Sequence, residues 1–154
     1  MKNSTLAKLV FFGILTLLVP VILQAQARDS LFEAESLRSA LRQEIEGNFA
    51  EAEKILKDII NYKPTSTEGL FALERIFRSQ GRIKDIFPIV QQYQESEPYA
   101  AIPRIVMLRA FEELNAVDEL KKQWSIAEGL PSGSIDRKHV FAEILRLEIA
   151  RNDA

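Results

Sequence analysis

Turn-forming residues recur along this chain at a spacing of 34 residues. Gly47 and Gly81 are 34 residues apart, and Asn115 follows Gly81 at the same distance. Glycine adopts a left-handed backbone conformation without steric cost, and asparagine tolerates it better than most residues, so each of these positions can end a helix. Pro64 and Pro98 repeat with the same spacing. A period of this length is typical of arrays in which one helical unit is stacked several times.

The apolar residues of each unit keep a constant distance from its turn residue. The second position after the turn holds Phe49, Ile83 and Val117, and the fifth position holds Ala52, Ile86 and Leu120. Since apolar side chains at helical spacing form the buried face of a helix, each unit predicts two helices joined by a turn. The predicted helices lie near residues 30–46, 49–62, 67–80, 84–96, 100–114, 117–128 and 136–151.

The run from Gly47 to Ala52, with Pro64 at the end of the following helix, resembles the tetratricopeptide repeat (TPR) family. The resemblance covers roughly residues 33 to 154, and it weakens from the first unit to the third. It implies an all-α fold, built as a right-handed superhelical solenoid of antiparallel helix hairpins with about three and a half repeats.

Three local features of the helix ends can be predicted. The segment Thr65-Ser66-Thr67-Glu68 offers a capping box that begins a helix. Pro88 is tolerated near the start of the next helix if Asp85 caps it, because the first turn does not use the amide hydrogen that proline lacks. The stretch from Gly129 to Ser134 consists mainly of glycine, serine and proline, which predicts a loop between the third and fourth units.

The amino terminus has the layout of a secretory signal peptide. Two lysines precede an uncharged apolar run over Leu9–Leu23, and the small residues Ala25 and Ala27 follow it. Residues 1–27 are therefore predicted to be a signal peptide cleaved after Ala27, and residues 28–154 to form the TPR-like helical repeat domain. An uncleaved amino-terminal anchor is the alternative, although the apolar run is shorter than the roughly 20 residues that span a bilayer core.

The charge and the cysteine content limit where in the cell the chain can be located and which classes of partner it can bind. The chain carries 20 basic and 22 acidic residues, and loss of the two lysines of the leader would change its net charge from −2 to −4. Such a chain is a poor candidate for binding nucleic acid, which requires clustered lysine and arginine. The absence of cysteine excludes a lipid-anchored lipoprotein. We expect an exported protein of the Gram-negative periplasm, anchored to the inner membrane if the leader is retained, with no membrane span after cleavage.

The residues that catalysis requires are scarce. The sequence has no cysteine, one histidine and no glycine-rich phosphate loop. His139 lies on one helix with Asp136 and Glu143, but a single histidine among surface acids is usually a solvated side chain. We therefore expect no enzymatic activity, no metal and no cofactor. The aromatic residues at helical spacing are expected to pack between helices; they are Phe77, Phe87, Phe111 and Trp124.

Arginines occupy equivalent positions in successive first helices, which in the TPR family line a concave groove. Alignment on the turns, with three residues inserted before the fourth unit, brings together Arg75, Arg109 and Arg146. Arg78 lies one turn beyond Arg75 and faces the same way. Charge-assisted hydrogen bonds from this row would hold a protein or peptide partner that is acidic or has a free carboxylate, with apolar contact from Phe71 and Ile105.

An alternative interpretation of the arginines needs no ligand. Arginines and glutamates on the solvated faces of helices often pair with each other. The spacing allows Glu74 to pair with Arg78, and Arg109 to pair with Glu112 and Glu113. The sequence leaves both interpretations open.

These features favour a protein–protein interaction scaffold of the bacterial cell envelope, which binds a peptide or protein segment in a concave groove. Two alternatives stand beside it. The helices could be the amino-terminal part of a longer exported enzyme, such as a peptidase or cell-wall hydrolase, because no polar capping helix follows the last predicted helix. They could also form a self-associating structural element, in which another copy covers that helix. Its apolar residues are Phe141, Ile144, Leu145 and Leu147.

Overall fold

All regular secondary structure in the described part of the chain is helical. The computed structural model describes residues 31–152, so the predicted signal peptide, with Ala25 and Ala27, lies outside the described residues. Helix α1 covers residues 31–45. The other helices are α2 (Phe49–Tyr62), α3 (Thr67–Ser79), α4 (Phe87–Ser96), α5 (Ala101–Glu113), α6 (Val117–Glu128) and α7 (Ile135–Asn152). The predicted all-α class is thus confirmed for these residues, and none of their helices is long and apolar enough to cross a membrane.

Three helices end in the same way, at the residues that the 34-residue spacing predicts. Gly47, Gly81 and Asn115 have positive φ values of 81°, 67° and 52°. At each of these turns, the amide of the next residue donates to the carbonyl five positions before it. The three hydrogen bonds are Asn48 N to Gln43 O at 2.8 Å, Arg82 N to Phe77 O at 2.7 Å and Ala116 N to Phe111 O at 2.9 Å. Each bond satisfies a carbonyl that the end of a helix would otherwise leave without a partner.

The start of α3 differs from the predicted capping box. The cap is Ser66, whose hydroxyl oxygen accepts from the amide of Gly69 at 3.1 Å. A capping box needs glutamate or glutamine three residues after the cap, but that position is Gly69, and Glu68 stands one residue too early. Ser66 is completely buried, and its hydroxyl also donates to Glu33 of α1. The same side chain therefore begins α3 and ties it to α1.

We expect Ser66→Ala to lower the free energy of unfolding by about 1–2 kcal/mol, because the substitution leaves the buried amide of Gly69 without its acceptor. Chemical denaturation followed by circular dichroism measures the change. Ser96→Ala is the matched control, since the Ser96 hydroxyl is exposed and, within residues 31–152, bonds only to the carbonyl of Gln92 on its own helix. There we expect a change below about 0.5 kcal/mol. Equal effects of the two substitutions would contradict the capping role of Ser66.

The start of α4 also differs from the prediction. Residues Ile83–Ile86 form a 3-10 turn, and α4 begins at Phe87. Asp85 is not the cap, because its carboxylate instead forms an ion pair with Arg82 at 2.6 Å. Pro88 still lies in the first turn of α4, so the amide hydrogen that it lacks breaks no helical hydrogen bond.

Consecutive helices pack together from α2 to α3 and from α4 to α7, α3 packs against the 3-10 turn before α4, and α3, α5 and α7 lie side by side. The contacts join α2 to α3, α4 to α5, α5 to α6 and α6 to α7, and α5 also contacts both α3 and α7. Buried apolar residues form two clusters, and both clusters include residues of α5. The first extends from α1 to α5 and contains Leu56, Leu70, Phe77 and Val106. The second extends from α5 to α7 and contains Leu108, Val140, Ile144 and Leu147.

The predicted packing of aromatic residues holds for three of the four. Phe77 is completely buried, and the ring centroids of Phe87 and Phe111 lie 5.0 Å apart. Trp124 meets the ring of Phe141 edge-on at 6.2 Å, yet 39% of Trp124 remains exposed. Leu145, expected on the apolar side of the last helix, is 60% exposed. The surface formed by α6 and α7 is therefore less covered than the sequence pattern predicts.

Candidate partner-binding site

Four arginines from three helices converge on one open cavity. Arg75 and Arg78 lie one turn apart on α3, Arg109 lies on α5 and Arg146 lies on α7. Together with two glutamates, these arginines line a cavity of about 380 Å³. They meet because α5 packs beside α3 on one side and beside α7 on the other. We call these four residues the arginine cluster.

The two arginines of α3 are held by glutamates. Arg75 donates from Nε and Nη2 to the two carboxylate oxygens of Glu44 on α1, at 2.7 and 2.6 Å, and this two-point pair raises the pKa of Arg75. Arg78 pairs with Glu74 of its own helix at 2.7 Å and with Glu113 of α5 at 2.5 Å. Because both arginines are exposed, each pair adds at most about 1 kcal/mol of stability. The pairs orient the two guanidinium groups.

Glu143 on α7 connects the other two arginines. One of its carboxylate oxygens accepts from Arg109 Nε at 2.8 Å and from Arg146 Nη2 at 2.9 Å, and only 8% of Glu143 is exposed. Burial alone would raise the pKa of Glu143, but the hydrogen bonds from Arg146 and Arg109 outweigh it and lower the pKa below its ordinary value. Glu143 therefore ties α5 to α7 and sets the orientation of Arg109.

The pairing predicted for the alternative without a ligand is partly right. The pair between Glu74 and Arg78 is confirmed at 2.7 Å. The pairing of Arg109 with Glu112 and Glu113 is wrong, because these acids pair with arginines of the adjacent helices instead. Glu112 and Glu113 therefore each pair with an arginine of an adjacent helix, and not with Arg109 on their own helix.

The sequence pattern does not identify two of the glutamates that pair with the arginine cluster. Glu143 follows Arg109 by 34 residues, the spacing of the repeat, and Glu44 precedes Arg75 by 31. Neither pair joins equivalent positions of successive units, because the alignment makes Arg146 and not Glu143 the equivalent of Arg109. The repeat spacing therefore gives no signal for either pair.

The side chains grouped around the single histidine do not converge. Asp136 accepts a hydrogen bond from the amide of Ala101 at 3.0 Å, Glu143 binds the two arginines, and His139 is exposed. Within residues 31–152, no group of three or more histidine, cysteine, aspartate or glutamate side chains could hold a metal ion.

The arginine cluster is not a basic patch. Its four guanidinium groups pair with five carboxylates, so the sum of the charges is −1; the acids are Glu44, Glu74, Glu112, Glu113 and Glu143. A surface without excess positive charge does not attract polyanions over a distance. Any recognition of an anion here depends on hydrogen bonds made at contact.

Arg109 retains hydrogen-bond donors for such a contact. It donates from Nε to Glu143, and no acceptor within residues 31–152 bonds to its two terminal nitrogens. The guanidinium carbon lies 5.9 Å from the centroid of the Phe71 ring. Phe71 and Ile105 are half-buried, so each leaves part of an apolar surface accessible. The two terminal nitrogens form an edge that suits a carboxylate, which can accept from both at once.

Comparison of this chain with protein-family models, with curated proteins and with solved structures finds no match.

Proposed function

We propose that this chain is a non-catalytic interaction module of the TPR type, a right-handed superhelical solenoid of helix hairpins whose concave face binds a partner polypeptide. Two observations support this architecture. Turns with the same geometry recur at 34-residue spacing, at Gly47, Gly81 and Asn115. Helices α3, α5 and α7 lie side by side, while α4 and α6 connect them and pack against α5.

The observation that carries the binding proposal is the arginine cluster. Its members come from three helices and line one cavity, and neighbouring glutamates hold each of them in place. Pre-organised side chains lose little conformational entropy when a ligand binds, which favours affinity. Arg109 adds unused terminal nitrogens in the middle of the three helices.

The charges around the arginine cluster favour a partner with a free carboxylate over an acidic one, whereas the sequence left both open. Because four guanidinium groups face five carboxylates, a long acidic segment would meet as much repulsion as attraction. A single carboxylate, such as the free carboxyl terminus of a partner, needs only the terminal nitrogens of Arg109. An apolar last side chain would then contact Phe71 and Ile105. In this proposal the protein acts in the cell envelope, as the predicted signal peptide implies.

Selection of short peptides displayed with free carboxyl termini tests this proposal on the full chain. The best binder is then synthesised as the free acid and as the carboxyl-terminal amide. We expect the amide to bind at least about tenfold more weakly, since it loses a two-point, charge-assisted contact. Fluorescence anisotropy of the labelled peptides measures both affinities.

Substitution of the central arginine completes the test. We expect Arg109→Gln to weaken binding of the free acid by about tenfold, and to remove most of the difference between acid and amide. The fold should persist, because Arg146 still pairs with Glu143. Arg38→Gln is the control, since Arg38 is an exposed arginine of α1 outside the cluster. Equal binding of acid and amide, or equal effects of the two substitutions, would contradict the proposal.

A further inference from the structure

A second cavity lies away from the arginine cluster, between α5, α6 and α7. It is a cleft of about 400 Å³, and its apolar walls include Leu120, Trp124, Ile144 and Leu147. The arginine cavity shares none of these residues. The partial exposure of Trp124 is explained by its position in the wall of this cleft.

Exposed apolar side chains stand next to the cleft on the same helix. Leu145 and Ile149 lie one turn apart on α7, and they are 60% and 53% exposed. Each directly follows a residue that lines the cleft, so they lie about 100° around the helix from its wall. Large apolar side chains grouped on a surface mark sites of association. This surface therefore has both an open cleft and apolar side chains that project beside it.

The rim of the cleft carries charges of both signs. Lys121 and Arg151 supply positive charge, and Glu148 supplies negative charge. Within residues 31–152, none of the three forms an ion pair. A partner that covers the cleft can therefore satisfy both signs.

We propose that this surface binds a second copy of the chain around a two-fold axis, so that Leu145 and Ile149 of each copy enter the cleft of the other. A two-fold interface joins the same patch on both copies, so the patch must be complementary to itself. The patch formed by α6 and α7 meets this requirement, because the cleft lies beside projecting apolar side chains and the positively charged groups lie beside a negatively charged one. Glu148 of one copy then faces Lys121 and Arg151 of the other. The exchange is reciprocal, so it gives a closed dimer and not a filament.

Trp124 reports on the cleft without a label, because it is the only tryptophan of the chain. We expect its emission to shift to shorter wavelength, and its quenching by acrylamide to fall, as the full chain is concentrated from about 0.1 to 100 µM. This range brackets the dissociation constants of dimers with small interfaces. The mass measured by sedimentation equilibrium should double over the same range. A monomeric mass at every concentration contradicts the proposal, whether Trp124 is accessible or already covered by another part of the chain.

Substitutions on α7 locate the interface. We expect Leu145→Glu combined with Ile149→Glu to raise the dissociation constant of the dimer at least about tenfold, because it places charge in an apolar contact. Both side chains are exposed, so the helix itself should persist. Ile45→Glu on α1 is the matched control, since Ile45 is 77% exposed on a different helix. Association that resists the double substitution, or that Ile45→Glu weakens equally, would overturn the proposed interface.

A charge exchange gives an independent readout. Glu148→Arg alone and Arg151→Glu alone should each weaken the dimer, and the combination of both should restore it, because the exchanged charges attract each other across the two-fold axis. If the double variant is as weak as the single variants, the proposed contact between Glu148 and Arg151 of the two copies is wrong.

Discussion

Phe77→Ala is expected to lower the free energy of unfolding by about 3–5 kcal/mol, the usual cost of removing a large aromatic side chain from a packed core. Phe77 is completely buried in the first cluster, at the end of α3. The charged ends of Lys57 and Arg82 lie 5.8 and 5.2 Å from the ring centroid, so they cover the ring from the solvent side. Truncation would leave a cavity and also remove these contacts. Urea denaturation followed by circular dichroism measures the effect.

A conservative substitution separates lost volume from lost aromatic character. Phe77→Leu keeps most of the apolar volume, and we expect it to cost less than about 1.5 kcal/mol. The carbonyl of Phe77 closes the turn after α3, but this backbone bond remains in both variants. If Phe77→Ala costs less than Phe77→Leu, or if both are neutral, the ring is not part of a packed core.

Glu143→Gln is expected to lower the free energy of unfolding by about 2 kcal/mol at neutral pH. Removal of one partner from a buried ion pair costs about 3–5 kcal/mol, and the partial exposure of Arg109 and Arg146 reduces this figure. The substitution keeps the shape and one oxygen acceptor, so it tests the charge. Glu128→Gln is the control, because Glu128 is exposed and forms no ion pair within the described residues. There we expect less than about 0.5 kcal/mol.

The effect of Glu143→Gln should depend on pH with a definite sign. The pKa of Glu143 is lowered in the folded chain by its bonds to the two arginines. The stability that ionised Glu143 contributes is therefore complete above the pKa of an unfolded glutamate, about 4.3, and is lost as the pH falls through the lower pKa of the folded state. We expect the difference between the wild type and Glu143→Gln to shrink below about pH 4. A difference that stays constant from neutral pH to pH 3 would contradict the ionic role of Glu143.

The 34-residue spacing predicted the turns between helices correctly, because the conformation of a turn depends on the residue that forms it. Gly47, Gly81 and Asn115 mark turns that need a left-handed backbone, and all three have positive φ. The predicted caps were wrong although α3 begins at Thr67 as predicted, because a cap depends on which groups surround its side chain in the packed fold. Ser66 became the cap of α3 with its hydroxyl also bonded to Glu33 of α1, which a motif confined to four residues does not show.

The geometry of the candidate site was predictable only in part. The alignment of successive units predicted that Arg75, Arg109 and Arg146 lie close together, and all three line one cavity. The reason is that stacked helical units place equivalent positions side by side. The partners of Arg75 and Arg109 were not predictable from neighbours on the same helix, since Glu44 and Glu143 reach them from other helices. Pairs between helices depend on the direction in which each side chain leaves its helix, and this direction becomes known only when the helices are packed.

A titration observed by nuclear magnetic resonance shows directly which of the two cavities a carboxylate ligand enters. The ¹⁵N-labelled full chain is titrated with the selected free-acid peptide, and the Nε–Hε signals of the arginines are followed together with the indole N–H of Trp124. We expect the signals of Arg109 and Arg146 to shift as the peptide binds, while the indole signal does not. A shift of the indole signal alone, or binding without any change at Arg109, would contradict the proposed binding site.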